Sequence, residues 1–250
     1  MRYADMFTIE FREYIHERIL EFAKADKRIS QAALVGSTSE TPDRWSDLDI
    51  TFGVSSKSNI EDVLRDWTSH FEFVFNGVSL FDITYKSSVY MVFILPGGLQ
   101  VDISFTPESD FGPHGPRFRL LYGNVNKRIL HEEPDPKRMF GMAVHHLLRT
   151  RVCLERRKIW QAEYWLSSAR NELLSIICIN HKLPYSNGKG YDKLPKEVVD
   201  SFTPAFPKSL NGIELCMALK ILIENIPNNK EFSLFLTQRL ENILKELISS

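Results

Sequence analysis

The sequence predicts an α+β fold in two parts: a mixed β-sheet with flanking helices over residues 1–132, then a helical bundle over residues 133–250. Short apolar or alternating runs recur through the first part, with the period expected of strands. Pro96-Gly97-Gly98 separates two of these runs and marks a hairpin. After His131-Glu-Glu-Pro-Asp-Pro136 the apolar spacing becomes helical and stays so to the end.

Each element has its own local reason. Phe11, Ile15, Ile19 and Phe22 share one face of an amphipathic helix over about 8–25. Strands follow at 32–36 and 47–54. Asn59 caps a helix through about Trp67, with Glu61 and Asp62 in its favourable first turn. Residues 71–75, 80–85, 90–95 and 99–105 read as further strands. The Gly-, Pro- and Arg-rich stretch 109–126 reads as a loop with one short helix. Helices are then expected over 137–156, 158–181, 209–225 and 230–248, with Pro195 starting a short one.

Composition narrows the function classes. The 250 residues carry 31 basic and 32 acidic side chains, a net charge of −1, which makes no strong electrostatic case for a nucleic-acid partner and leaves only a local basic groove open. Cys153, Cys178 and Cys216 are scattered through apolar sequence and read as free thiols of a reducing compartment. Residues 8–24 are too rich in Glu, Arg and His for a signal peptide, and no apolar run is long enough to span a bilayer. The expectation is a cytoplasmic protein, a monomer or homodimer, without a membrane partner.

The chemistry concentrates between residues 33 and 50. Ala33-Leu-Val-Gly36-Ser37 ends one apolar run, and Asp47-Leu-Asp49-Ile opens the next. Side chains two apart on a strand share a face, so Asp47 and Asp49 stand roughly 6–7 Å apart along the chain. Crowded carboxylates are costly unless a cation lies between them, and Mg²⁺ is the hard cation that carboxylates and substrate phosphates share. Gly36 permits close backbone approach, and the Ser37 hydroxyl and neighbouring N–H groups suit phosphate oxygens. Leu99-Gln-Val-Asp-Ile-Ser-Phe105 alternates, placing Asp102 on a polar face with Gln100 and Ser104. If that strand lies beside the one bearing Asp47 and Asp49, three carboxylates converge, an arrangement that suits transfer of a nucleotidyl group.

The Gly36-Ser37 turn, the nine-residue spacer, the Asp47-x-Asp49 pair and the later Asp102 resemble the nucleotidyltransferase superfamily that includes DNA polymerase β. The nearest resemblance is to small antibiotic nucleotidyltransferases that adenylylate aminoglycosides or lincosamides. This implies a Mg²⁺-dependent adenylyltransferase moving AMP from ATP to a hydroxyl of a small molecule, with release of pyrophosphate and a link to antibiotic resistance. It implies Asp47 and Asp49 as metal ligands, Asp102 as third ligand or general base, and Gly36-Ser37 as the phosphate-facing turn. It also implies a catalytic domain over 1–132 and a helical domain over 133–250 that completes a substrate cleft. Two other readings remain open: the same transfer onto a protein or an RNA end, and a nucleotide-sensing or partner-binding module without catalysis.

Further candidates have a plain reading beside the functional one. Arg44 neutralises phosphate or holds Asp43. Lys189 and Lys193, in the flexible loop expected of Gly188-Lys-Gly-Tyr-Asp-Lys193, reach the β- and γ-phosphates or are simply solvated. Glu163 and Arg170, seven apart on one helical face with Tyr164 beside them, bind the acceptor or serve packing and pairing.

Overall fold

The computed structural model describes residues 6–36, 43–115, 117–126 and 133–248. The chain divides into two compact units, Met1–Glu132 and Glu133–Ser250. The first holds α1 (Ile9–Ala25), β1 (Ile29–Val35), β2 (Leu48–Val54), α2 (Ile60–Val74), β3 (Val78–Tyr85), β4 (Ser88–Leu95), β5 (Leu99–Pro107) and β6 (Phe118–Tyr122). Its strands form one mixed sheet in the order β3-β4-β5-β2-β1-β6. Among the described residues only the β2–β5 pair is parallel; the other neighbours run antiparallel.

The sheet has two unlike faces because its strands alternate. Leu48, Ile50, Phe52 and Val54 of β2, with Val101, Ile103 and Phe105 of β5 and Met91, Phe93 and Leu95 of β4, turn to one side. There they meet Ile15 and Ile19 of α1 and Val63, Trp67 and Phe71 of α2 in a buried core. Trp67 sits 4.8 Å from Phe52 and 5.2 Å from Phe105, ring centre to ring centre. The intervening residues, among them Asp49, Thr51, Gln100, Asp102 and Ser104, therefore occupy the opposite face.

Local signals explain where the helices begin. The Thr8 hydroxyl accepts from Phe11 N–H at 3.1 Å, and the Asn59 side chain accepts from Glu61 N–H at 2.9 Å. The strand expected over 71–75 is instead the end of α2. Phe-Glu-Phe-Val-Phe alternates like a strand, yet Val63, Trp67, Phe71 and Phe75 also recur every four residues and enter the core. The helical period wins, and Phe73 is left 92% exposed. The stretch 109–126, read as a loop with a short helix, supplies β6, paired with β1. Pro96–Gly98 is the expected turn, with φ of +75° at Gly97 and +76° at Gly98.

The second unit is helical: α3 (Pro136–Glu155), α4 (Ile159–Asn180), α5 (Lys196–Phe202), α6 (Gly212–Asn228) and α7 (Gln238–Glu246). Leu147 and Cys153 of α3, Leu166, Leu173 and Ile177 of α4, and Leu219 and Leu222 of α6 share its core. The Gly188–Lys193 stretch is no free loop but two short 3₁₀ turns. A Cβ at Gly190 would collide with the Pro184 carbonyl oxygen, so glycine is required for packing there. Among the described residues no helix is long and apolar enough to cross a membrane.

Candidate metal and nucleotide site

The parallel pairing of β2 with β5 sets Asp49 directly opposite Asp102. Asp47, two residues before Asp49, reaches the same place, and the three carboxylates offer oxygens all within 4.8 Å of one another. The convergence expected if these strands were neighbours is present. Each of the three is partly exposed, at the rim of a sheet whose core face is closed.

The surrounding residues hold the carboxylates in place. Gln100 Nε2 donates to both Asp102 oxygens, at 2.9 and 3.1 Å. Ser104 donates to the Thr51 hydroxyl at 2.9 Å in the next row, so the polar face is ordered across β2 and β5. Burial pushes the Asp102 pKa above the usual carboxylate range; the Gln100 bond opposes the shift and the negative Asp47 adds to it. Gly36 ends β1 with φ of +60°, a backbone state that favours glycine. A Cβ there would stand 2.8 Å from Asp49 Cγ and closer still to its Oδ2. The glycine is thus the wall against which the Asp49 carboxylate rests.

Arg12 is a contributor that sequence reasoning missed. It is 4% exposed on α1, and its guanidinium donates to the Asp43 and Ser46 carbonyls, the second at 3.5 Å. It therefore ties down the segment leading into Asp47. The available signal was an arginine on the same helical face as Ile15 and Ile19, where burial demands a partner. The Asp43 carboxylate accepts from Trp45 N–H at 2.8 Å and from Ser46 Oγ at 3.0 Å. Arg44 does not hold it; its guanidinium lies 5.1 Å from the Phe7 ring centre and 4.7 Å from that of Trp45.

The other sequence candidates are placed as follows. Ser37 lies outside the described residues. Lys193, on the 3₁₀ turn Tyr191–Lys193, and Lys189, which follows the turn Ser186–Gly188, are both exposed. On α4, Tyr164 is 61% exposed, and the Glu163 carboxylate accepts from the Ser167 hydroxyl. Arg170 is buried, donates to Ser167 Oγ at 3.0 Å and to the Ala205 carbonyl at 3.2 Å, and lies 3.8 Å from the Phe206 ring centre.

The donor set suits a hard divalent cation, being all carboxylate oxygen at close mutual range. Three like charges at that spacing repel, and a cation among them offsets the cost. Residues 10–75 match the family model described as streptomycin adenylyltransferase; this span holds Gly36, Asp47 and Asp49 and stops before Asp102. No curated protein matches the chain. Among solved structures, an aminoglycoside 6-adenyltransferase from Bacillus subtilis is similar at 13% identity and a TM-score of 0.40, covering 94% of this chain and 97% of that one.

Proposed function

We propose that this chain, a member of the nucleotidyltransferase superfamily that resembles an aminoglycoside adenylyltransferase over residues 10–75, moves AMP from ATP to a hydroxyl of a small molecule such as an aminoglycoside. The observation that carries the reading is the meeting of Asp47, Asp49 and Asp102 across the parallel β2–β5 pair. Asp47, Asp49 and Asp102 are the residues that would hold Mg²⁺, which when bound neutralises charge on the triphosphate and on departing pyrophosphate.

The chain's own groups perform the rest. Asp102, whose burial strengthens its hold on a proton, takes the proton from the acceptor hydroxyl. The freed oxygen attacks the α-phosphorus, the bond to the bridging oxygen of the β-phosphate breaks, and pyrophosphate leaves. Gln100 keeps Asp102 aimed, and Gly36 brings backbone beside Asp49. Arg44, whose guanidinium lies against the Phe7 and Trp45 rings, is assigned to neutralising phosphate. Ser37, Lys189 and Lys193 are assigned to phosphate binding and Glu163 and Tyr164 to the acceptor on their residue chemistry, while the buried Arg170 takes its packing and pairing role.

Calorimetric titration of ATP with and without Mg²⁺, beside Asp47→Asn, tests the reading. Expected is Mg²⁺-dependent binding that Asp47→Asn removes, followed by transfer of labelled AMP to streptomycin or another hydroxylated small molecule. Binding that is indifferent to both Mg²⁺ and the substitution overturns it.

A further inference from the structure

Of the three clustered carboxylates, Asp47 alone stands outside the strand ladder. β2 begins at Leu48, paired with Val101 of β5, and Asp49 and Asp102 face each other within that pairing. Gly36 at the end of β1 backs Asp49, and Gln100 of β5 grips Asp102. Asp47 is placed instead by the chain that leads into β2, and residues 43–46 of that chain form a closed turn. Asp43 N–H donates to Ser46 Oγ at 3.0 Å, and Ser46 N–H donates to the Asp43 carbonyl at 3.3 Å. Ser46 Oγ in turn donates to the Asp43 carboxylate at 3.0 Å.

Both ends of this turn are tied to one nitrogen. Nη1 of Arg12 donates to the Asp43 carbonyl and to the Ser46 carbonyl. Arg12 sits on the core-facing side of α1 with Ile15 and Ile19, and is 4% exposed. A guanidinium so deeply buried is costly unless its donors are used, and here they are used on backbone oxygens of the turn. With so little surface left, Arg12 is no phosphate ligand.

We infer that Arg12 is a positioning residue of the metal site: by fixing the 43–46 turn it holds Asp47 ready for the cation, and so sets the affinity for Mg²⁺. The inference rests on the nucleotidyl-transfer reading for the identity of the metal, and extends the site to a helix that bears no ligand. Its physical basis is preorganisation. A site whose competent arrangement is only fractionally populated binds with its affinity reduced by that fraction. Without Arg12 the turn is freer to place Asp47 elsewhere, and binding the cation has to restore the order.

A purely structural role for Arg12 makes a different prediction. A buried charge can be exchanged for an apolar side chain of similar volume with little loss of fold stability. Arg12→Met therefore keeps α1 packed while it releases the turn. Arg12→Lys keeps a charge and enough donors for both carbonyls on a shorter stem.

The test uses the full chain with non-hydrolysable α,β-methylene ATP, and reads calorimetrically the Mg²⁺ concentration that half-saturates nucleotide binding. Expected is an increase of about tenfold in Arg12→Met, the factor for a turn in place about a tenth of the time, with full binding regained in excess Mg²⁺. Asp47→Asn, which removes the ligand itself, should not regain it. Arg12→Lys should recover most of the wild-type value. Arg18→Gln, on the exposed side of the same helix, should match the wild type. Ser46→Ala opens the turn without touching α1; it should shift the Mg²⁺ requirement the same way and add little to Arg12→Met, since both act through one turn. Urea midpoints in EDTA certify that each variant folds. An unchanged Mg²⁺ requirement in folded Arg12→Met and in Ser46→Ala, beside an Asp47→Asn that has lost the dependence, overturns this inference alone. So does a loss in Arg12→Met that Arg12→Lys does not relieve and excess Mg²⁺ does not reverse. Nucleotide binding indifferent to Mg²⁺ in the wild type overturns the transfer reading, and this inference with it.

Discussion

Asp26 and Asp102 belong to the same unit of the protein, and their surroundings treat negative charge in opposite ways. Asp26, the C-cap of α1, accepts from Arg28 Nε at 2.9 Å, from Arg28 Nη2 at 2.8 Å, from Arg28 N–H at 3.0 Å and from Trp67 Nε1 at 3.0 Å. Burial alone would raise its pKa, but these donors outweigh burial and hold it below the usual carboxylate range. Its counter-ion is built in, and Arg28 is shared with Asp66 at 2.7 Å. Asp102 instead has a neutral amide donor and two neighbouring carboxylates, and its pKa is raised. The first carboxylate is structural and already compensated. The second belongs to a cluster whose carboxylate oxygens lie close enough together to share a divalent cation.

Removing charge from the second cluster should therefore cost function above all. Asp47→Asn, Asp49→Asn and Asp102→Asn are each expected to lower AMP transfer by about 10²–10⁴-fold, the range of a lost general base or of lost electrostatic stabilisation. Only the first two should strongly weaken Mg²⁺-dependent nucleotide binding. Steady-state transfer measured beside calorimetry separates the roles, and full activity in any of the three would break the comparison.

Geometry gives the next largest effect. Gly36→Ala keeps every charge, yet its methyl group meets the Asp49 carboxylate, and its φ of +60° is unfavourable for alanine. A displacement of about 1 Å in a catalytic constellation costs about 10²-fold in rate. Transfer kinetics should show that loss together with weakened Mg²⁺ dependence. Wild-type kinetics in Gly36→Ala would mean that Asp49 does not need its wall.

The contrast between these two carboxylates is only half visible in the sequence. Asp47-x-Asp49 and the alternation about Asp102 are local patterns, so strand periodicity alone puts each on a polar face. That β5 inserts beside β2, in parallel and with Asp49 opposite Asp102, is a long-range pairing that no local pattern encodes; the resemblance to a known superfamily implied only that Asp102 joins the pair. Arg12 escaped notice because its partners are backbone carbonyls 31 and 34 residues away. β6 escaped because a half-exposed edge strand next to Gly and Pro lacks the alternation that a buried strand must show. In 71–75 the local signal misled outright, since Phe-Glu-Phe-Val-Phe satisfies a period of two and, through Phe71 and Phe75, a period of four.

Stability should respond with opposite signs. In the absence of divalent metal, Asp102→Asn removes a like-charge repulsion and should stabilise the first unit by about 1 kcal/mol. Asp26→Asn strips charge from several hydrogen bonds and should destabilise the same unit by about 2 kcal/mol. Urea unfolding in EDTA measures both, and added Mg²⁺ should raise the wild-type midpoint while leaving that of Asp47→Asn unchanged. A destabilised Asp102→Asn would show that its charge is compensated after all, and the two carboxylates would no longer differ.

The smallest effect is a pH dependence specific to Asp26. Its folded-state pKa is lowered, so the unfolded chain binds the proton more tightly than the native one, and stability rises with pH in that range. The contribution is complete above the unfolded value of about 3.9 and fades as pH falls through the lower native value. The stability gap between wild type and Asp26→Asn should hence be constant from pH 7 to about 5 and shrink below about 4. Urea midpoints for the pair at each pH isolate this carboxylate, because every other titrating group is common to both proteins. A gap that widened on acidification would mean that the Arg28 and Trp67 bonds do not outweigh the burial of Asp26, and the compensated half of the comparison would fall.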